Sequence, residues 1–154
     1  MIGATPLWVA ARFREPEILR ALAEYGADPS HQLGGETALM AAIQGGSNRG
    51  RFGIAPPDPE EEARRRLESV TAALDAGADA DARNANGDTV LHIAASRGLD
   101  DVVALLAERG AALDARNGNG QTPLGLASGV TAVRLAELGA LDTGGGAGAT
   151  VTAR

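Results

Sequence analysis

The sequence predicts an all-α solenoid of four helix–turn–helix repeats joined by short β-hairpin loops. Three observations carry that prediction. A Gly-x-Thr-x-Leu pattern recurs four times, with its threonines at Thr5, Thr37, Thr89 and Thr122, spaced by 32, 52 and 33 residues. A Gly-Ala pair follows each, at Gly26, Gly77, Gly110 and Gly139. Self-similarity at a period near 33 marks repeats that bury their apolar faces by stacking on one another. The third observation is composition: hydrophobic residues are 44% and aromatic residues only 3%, which suits closely packed helices with an Ala, Leu and Val core.

Repeat one spans about residues 3–34. Thr5 is placed to cap a short helix, because its hydroxyl can accept from an unpaired N–H of the first turn. Pro6 follows at the first helical position, where a missing N–H costs nothing. Pro16 announces the second helix, which is expected to bury Ile18, Leu19 and Leu22 and to stop at Gly26. Residues 1–4 supply no first hairpin strand, and Trp8 is expected to pack inside this repeat.

Repeat two, 35–86, carries an insertion at 45–59 whose glycines and prolines bar regular structure. A longer helix then runs from Glu60 to about Ala76. Glu60, Glu61 and Glu62 stand at its positive end, and i,i+4 pairs with Arg64, Arg65 and Arg66 are expected. In repeat three, 87–119, Leu91–Ala95 form the first helix and Gly98 closes it. A second helix over about 100–109 opens on Asp100 and Asp101 and buries Val102, Val103, Leu105 and Leu106. Repeat four, 120–142, is four residues shorter. Thr131, Ala132 and Arg134 weaken its apolar stripe, as in a terminal repeat whose outer face meets water. Residues 143–154 are Gly-rich and expected to be disordered. The connections 80–87 and 113–120 are nearly the same sequence and end in Asn-Gly, the strongest short signal for a tight turn.

Thr89 to Ala95, preceded by Asn86-Gly87 and followed by Gly110-Ala111, resembles the ankyrin repeat. The resemblance covers residues 3 to about 142 in four registers, so the expected fold is an ankyrin-like solenoid. Trp8, Met40 and Gly125 stand where that family usually has His, and only His92 matches. The resemblance implies that His92 is structural and bonds within its repeat turn.

Charge and motifs exclude several classes. The net charge is −6 with a pI near 4.9, and all basic residues are Arg, which argues against nucleic-acid binding. Cys is absent and His numbers two, so disulfides, thiolate chemistry and Cys- or His-rich metal sites are excluded. There is no nucleophile elbow, P-loop or dinucleotide fingerprint. The chain is therefore expected not to be an enzyme, with no catalytic residues, no metal and no cofactors. With no apolar run of membrane-spanning length and no visible signal peptide, a monomeric cytoplasmic protein is expected. The Ala, Gly and Arg bias suits a bacterial source.

What remains is surface. The resemblance implies partner contacts at hairpin tips and at the outer positions of the first helices. Mapped here, these are Arg12, Phe13, Glu36, Gln44, Arg83, Asn86, Asp88, Arg97, Arg116, Asn119 and Gln121. Arg83 and Arg116, one period apart, are expected to stack as a ladder suited to an acidic segment of a partner protein. Phe13 either anchors the partner or covers the end of the stack. The insertion supplies a second candidate in Arg49, Arg51, Phe52 and Ile54. The expected function is non-catalytic protein–protein binding through the concave face. The alternative is an inhibitor or immunity-type regulator that neutralises an enzyme or toxin with the 45–59 insertion.

Overall fold

The computed structural model describes residues 4–46 and 58–141. Arg49, Arg51, Phe52 and Ile54, together with the 143–154 tail, lie outside the described residues. The elements run α1 (Pro6–Arg12), α2 (Pro16–Glu24), β1 (Gln32–Leu33), β2 (Glu36–Thr37), α3 (Ala38–Gln44), α4 (Pro59–Asp75), α5 (Val90–Ser96), α6 (Asp100–Glu108), α7 (Pro123–Leu126) and α8 (Gly129–Glu137). Two compact units result, Met1–Asp79 and Ala80–Arg154, each holding two repeats.

The two sequence marks have direct physical causes. Thr5, Thr37 and Thr122 each accept a hydrogen bond from the N–H three residues on, at Trp8, Met40 and Gly125. The Gly-Ala pair is the signature of a Schellman turn. Gly26, Gly77, Gly110 and Gly139 all take φ between 80° and 93°, where a Cβ is strained. The alanine behind each glycine then donates to the carbonyl five residues back. Ala27 reaches Leu22, Ala78 reaches Ala73, Ala111 reaches Leu106 and Ala140 reaches Leu135, all at 3.0 Å.

In the first unit α1 packs on α2 and α3, and α4 packs on α2 and α3, around Leu7, Leu19, Leu39, Met40, Ile43 and Val70. In the second, α5 packs on α6 and α7 while α8 packs on α6 and α7, around Leu91, Val102, Val103, Leu106 and Leu135. Among the described residues only the 32–37 connection pairs as a β-hairpin, with Gln32 opposite Thr37 and Leu33 opposite Glu36. Residues 80–87 and 113–120 turn without strand pairing.

Several expectations are corrected. Ile18 is 51% exposed rather than buried, because no described helix lies over that side of α2. Leu22 and Leu105 are half-buried. Thr131 and Ala132 do not weaken the stripe of α8; they form it with Leu135, and the Thr131 hydroxyl donates to the Asp100 carboxylate. α4 begins at Pro59, inside the expected insertion, with Asp58 as its cap.

Of the three predicted ion pairs on α4, only Glu61–Arg65 forms, at 3.1 Å. Arg64 turns to Glu68 instead, and Glu62 pairs with Arg14. Arg14 is the reason. It is 4% exposed and sits at φ 56°, the one non-Gly residue with positive φ among those described. It occupies the repeat position of Gly98, which closes α5 at φ 67°. A side chain there costs about 1–2 kcal/mol. The guanidinium offsets this by donating from Nε to the Ala42 carbonyl at 3.0 Å and from Nη2 to the Ile43 carbonyl at 3.1 Å, besides the Glu62 pair. Arg14 thus ties the end of α3 to the first turn of α4, the two flanks of the insertion.

Candidate protein-binding surface

In the second unit the two turn segments are built alike from Asn84 and Asn117. Each Asn side-chain oxygen accepts two backbone N–H groups. Asn84 Oδ1 takes those of Asn86 and Asp88, both at 2.9 Å; Asn117 Oδ1 takes those of Asn119 at 3.0 Å and Gln121 at 2.9 Å. Such Asx turns leave the following residues at the tip. Asn86 and Asn119 are accordingly exposed, one period apart. The tips join directly: the Gly118 N–H donates to the Asn86 carbonyl at 2.9 Å. A Cβ on Gly87 would lie 2.6 Å from the Gly118 nitrogen, so a glycine is required there for close approach as well as for its φ of 78°.

The expected arginine ladder is present but is largely engaged in holding the tips. Arg83 Nη1 donates to the Gly87 carbonyl at 3.1 Å and also to the carbonyl of Arg116. Arg116 Nη1 repeats the first contact on Gly120, at 2.9 Å. Both side chains remain exposed. Asp88 accepts from Asn117 Nδ2 at 2.8 Å, and Gln121 is half-buried with its backbone bonded on both sides. Arg97 is exposed at the C-cap of α5. The pivots Asn84 and Asn117 were not among the residues singled out from the sequence. Their signal was available, since Arg-Asn-x-Asn-Gly occurs twice at a spacing of 33.

In the first unit the candidates separate. Glu36 is half-buried in β2, and Gln44, half-buried, ends α3. Arg12 is half-buried in the last turn of α1, and its carbonyl accepts from Gly46 at 3.1 Å. Phe13 caps α1, is 38% exposed, and lines an apolar groove with Val9, Ile18 and Leu22. It thus lies on the outer side of the first repeat, partly exposed.

His92 joins its repeat to the next. The Thr89 N–H donates to Nδ1 at 3.2 Å, so Nδ1 is the acceptor and the proton sits on Nε2. Nε2 then donates to the Gln121 carbonyl at 3.0 Å. Burial holds the imidazole below its usual range, against the opposing pull of the Gln121 carbonyl and the Asp88 carboxylate. The ring is neutral and structural, as expected, but it links two repeats rather than one turn alone. Trp8 does the same in the first unit: its indole Nε1 donates to the Glu36 carbonyl at 3.2 Å. Glu36 and Gln121 both immediately precede the capping threonine of the next repeat.

Among the described residues no cluster of three or more His, Cys, Asp or Glu side chains could hold a metal ion. No described helix is long and apolar enough to cross a membrane.

Comparison with known proteins agrees with this geometry. The family described as ankyrin repeats in three copies matches residues 62–140, and a single ankyrin repeat matches residues 3–31. Among solved structures the chain is similar to the ankyrin repeat domain of Bcl-3, a member of the IkappaB protein family. The TM-score is 0.68 and the identity 28%, over 88% of this chain and 51% of that one. The chain thus spans about half the length of that domain. No curated protein matches it. Ankyrin repeats are protein–protein interaction modules and are typically non-catalytic. From its four caps, its Schellman turns and these matches, the chain belongs to the ankyrin repeat family.

Proposed function

We propose that this chain binds a protein partner through the turn tips and first-helix ends of its second unit, without catalysis. The observation that carries this reading is the tip pair itself. Gly118 bonded to Asn86, with Arg83 spanning the two turns, gives a surface that is already ordered, so binding there loses little conformational entropy. Asn86, Asn119, Arg97, Arg83 and Arg116 are its exposed polar groups. Three guanidiniums and two amides favour a partner segment bearing carboxylates and backbone carbonyls.

A tagged capture from the native host tests the reading with three chains: wild type, an Arg97→Glu/Asn119→Arg variant, and a 45–59 deletion. The expected result is one partner held by wild type and by the deletion, and lost by the double variant. Undiminished capture by the double variant overturns it.

The second reading, a neutraliser acting through the insertion, draws on Arg14. Its bonds to Ala42, Ile43 and Glu62 fix both flanks of 45–59 to the first repeat, as a mount for an acting segment requires. Loss of the partner with the deletion alone favours that reading.

A further inference from the structure

Asn86, Asn117 and Asn119 each stand directly before a glycine, all three in the turn segments of the second unit. That dipeptide has a chemistry of its own. The glycine nitrogen, with no Cβ beside it to hinder its approach, can attack the asparagine Cγ and close a succinimide ring. Closure needs a side-chain amide free to rotate and a peptide unit free to turn towards it. The fold grants these two conditions unequally.

Asn117 meets neither condition. Its Oδ1 accepts from the Asn119 and Gln121 N–H groups, its Nδ2 donates to Asp88 at 2.8 Å, and the Gly118 N–H is committed to the Asn86 carbonyl. Asn86 meets only the first. Its side chain is exposed, but the peptide unit it shares with Gly87 is held at both ends. The Asn86 carbonyl accepts from Gly118, and the Gly87 N–H donates to the Asn84 carbonyl, each at 2.9 Å. Gly118 also crowds Gly87, where a Cβ would lie 2.6 Å from its nitrogen. Asn119 meets both conditions. Its side chain is exposed, and among the described residues nothing donates to its carbonyl. A Cβ on Gly120 would meet nothing within 4 Å. One bond holds this peptide unit, from the Gly120 N–H to the Asn117 carbonyl at 2.9 Å.

We propose that Asn119 is a hydrolytic modification site, converted spontaneously to aspartate or isoaspartate by way of a succinimide. The Gly120 nitrogen gives up its hydrogen to water as it bonds to Asn119 Cγ, and the side-chain nitrogen leaves as ammonia. Water then adds to one of the two ring carbonyls. Addition at Cγ breaks the new bond to Gly120 and leaves aspartate. Addition at the main-chain carbon breaks the original peptide bond and leaves isoaspartate, with the backbone routed through the side chain. Overall one water is consumed and one ammonia released. Either product puts a carboxylate in place of an exposed amide at a turn tip. If this surface receives carboxylates, as proposed above, the product repels the partner and binding declines as the chain ages. That consequence rests on the binding reading, whereas the modification itself does not.

The test is a time course on the whole chain at mildly alkaline pH, folded and in urea, read by peptide mapping against a sample taken at the start. Cleavage after Arg83, Arg97, Arg116 and Arg134 puts Asn86 in one peptide and Asn117 with Asn119 in another, where fragment masses separate the last two. In the folded chain carboxylate should accumulate at Asn119 about ten-fold faster than at Asn86, the factor set by one further hydrogen bond to break before reaction. Asn117 should stay intact. In urea the three sites should react at similar rates, because each precedes glycine. Asn119 remaining intact in the folded chain while the unfolded chain reacts overturns the proposal. So does Asn86 or Asn117 reacting as fast as Asn119 in the folded chain. Asn119→Asp stands in for one product in partner capture. Weakened capture supports the binding consequence, and undiminished capture refutes that consequence alone, since the peptide map decides the modification.

Discussion

Arg14 offers the most demanding test of how the first unit is held together. Replacement by Met keeps the side-chain bulk but removes the charge, the two bonds to Ala42 and Ile43, and the pair with Glu62. Removing one partner of a buried ion pair costs about 3–5 kcal/mol, because the other charge is left desolvated. The Arg14 side chain is 5% exposed and that of Glu62 20%, so the expected cost falls in that range for Arg14→Met. Arg14→Gly loses the same bonds but relaxes the φ of 56°, and should cost about 1 kcal/mol less. Adding Glu62→Gln to Arg14→Met should bring the pair at least about 1 kcal/mol below the sum of the single changes. Trp8 is the sole tryptophan and lies in the same unit, so its fluorescence during urea unfolding reads the event directly. A cost below about 1 kcal/mol for Arg14→Met, or strict additivity with Glu62→Gln, would refute the clamp.

Other outcomes follow from the same contacts. Leu106→Ala, at a fully buried position, should cost about 2–5 kcal/mol by chemical denaturation. Arg83→Ala should cost about 1 kcal/mol, more than a solvated surface arginine, because its bonds to Gly87 and Arg116 are lost. Gly87→Ala should cost more than Gly110→Ala; both take positive φ, but only at Gly87 does a Cβ meet backbone, 2.6 Å away. For His92 the folded ring resists protonation while the unfolded ring accepts a proton near pH 6.5. The unfolded state therefore binds more protons just below that pH, and stability should be level above about 6.5 and fall as pH drops towards the lower folded value. His92→Leu should be less stable at neutral pH yet lose that early acid decline, as melting between pH 7.5 and about 5.5 will report.

The repeat fold was legible because its marks are local. A threonine that caps and a glycine that permits a Schellman turn act within one turn of helix, and each recurs four times. Buried faces were read less well at the ends. Ile18 and Val102 hold the same repeat position on an apolar stripe, yet Ile18 is 51% exposed and Val102 fully buried, a difference that the stripe alone does not carry. Ion pairs on α4 were misassigned for a related reason. The i,i+4 rule sees one helix, whereas Glu62 is drawn away by an arginine 48 residues earlier. The arginine ladder was placed correctly in register, but the carbonyls it serves belong to neighbouring turns and carry no side-chain signal. Asn84 and Asn117 recur one period apart in Arg-Asn-x-Asn-Gly, but the turn signal read from that motif was its Asn-Gly end, not the first Asn that accepts both N–H groups.

The matching roles of Trp8 and His92 show what this repeat asks of that position. The requirement is a ring nitrogen that carries a hydrogen and reaches one specific carbonyl in the next repeat, and indole and imidazole both meet it. They are not equivalent in every respect. Indole has no acceptor to complete the reciprocal bond with its own capping threonine, and it does not titrate near neutrality. The two units therefore carry the same joint in two chemical versions, one indifferent to acid and one responsive to it. A search for this joint by the letter of the residue finds one instance in the chain, whereas a search by donor and reach finds two.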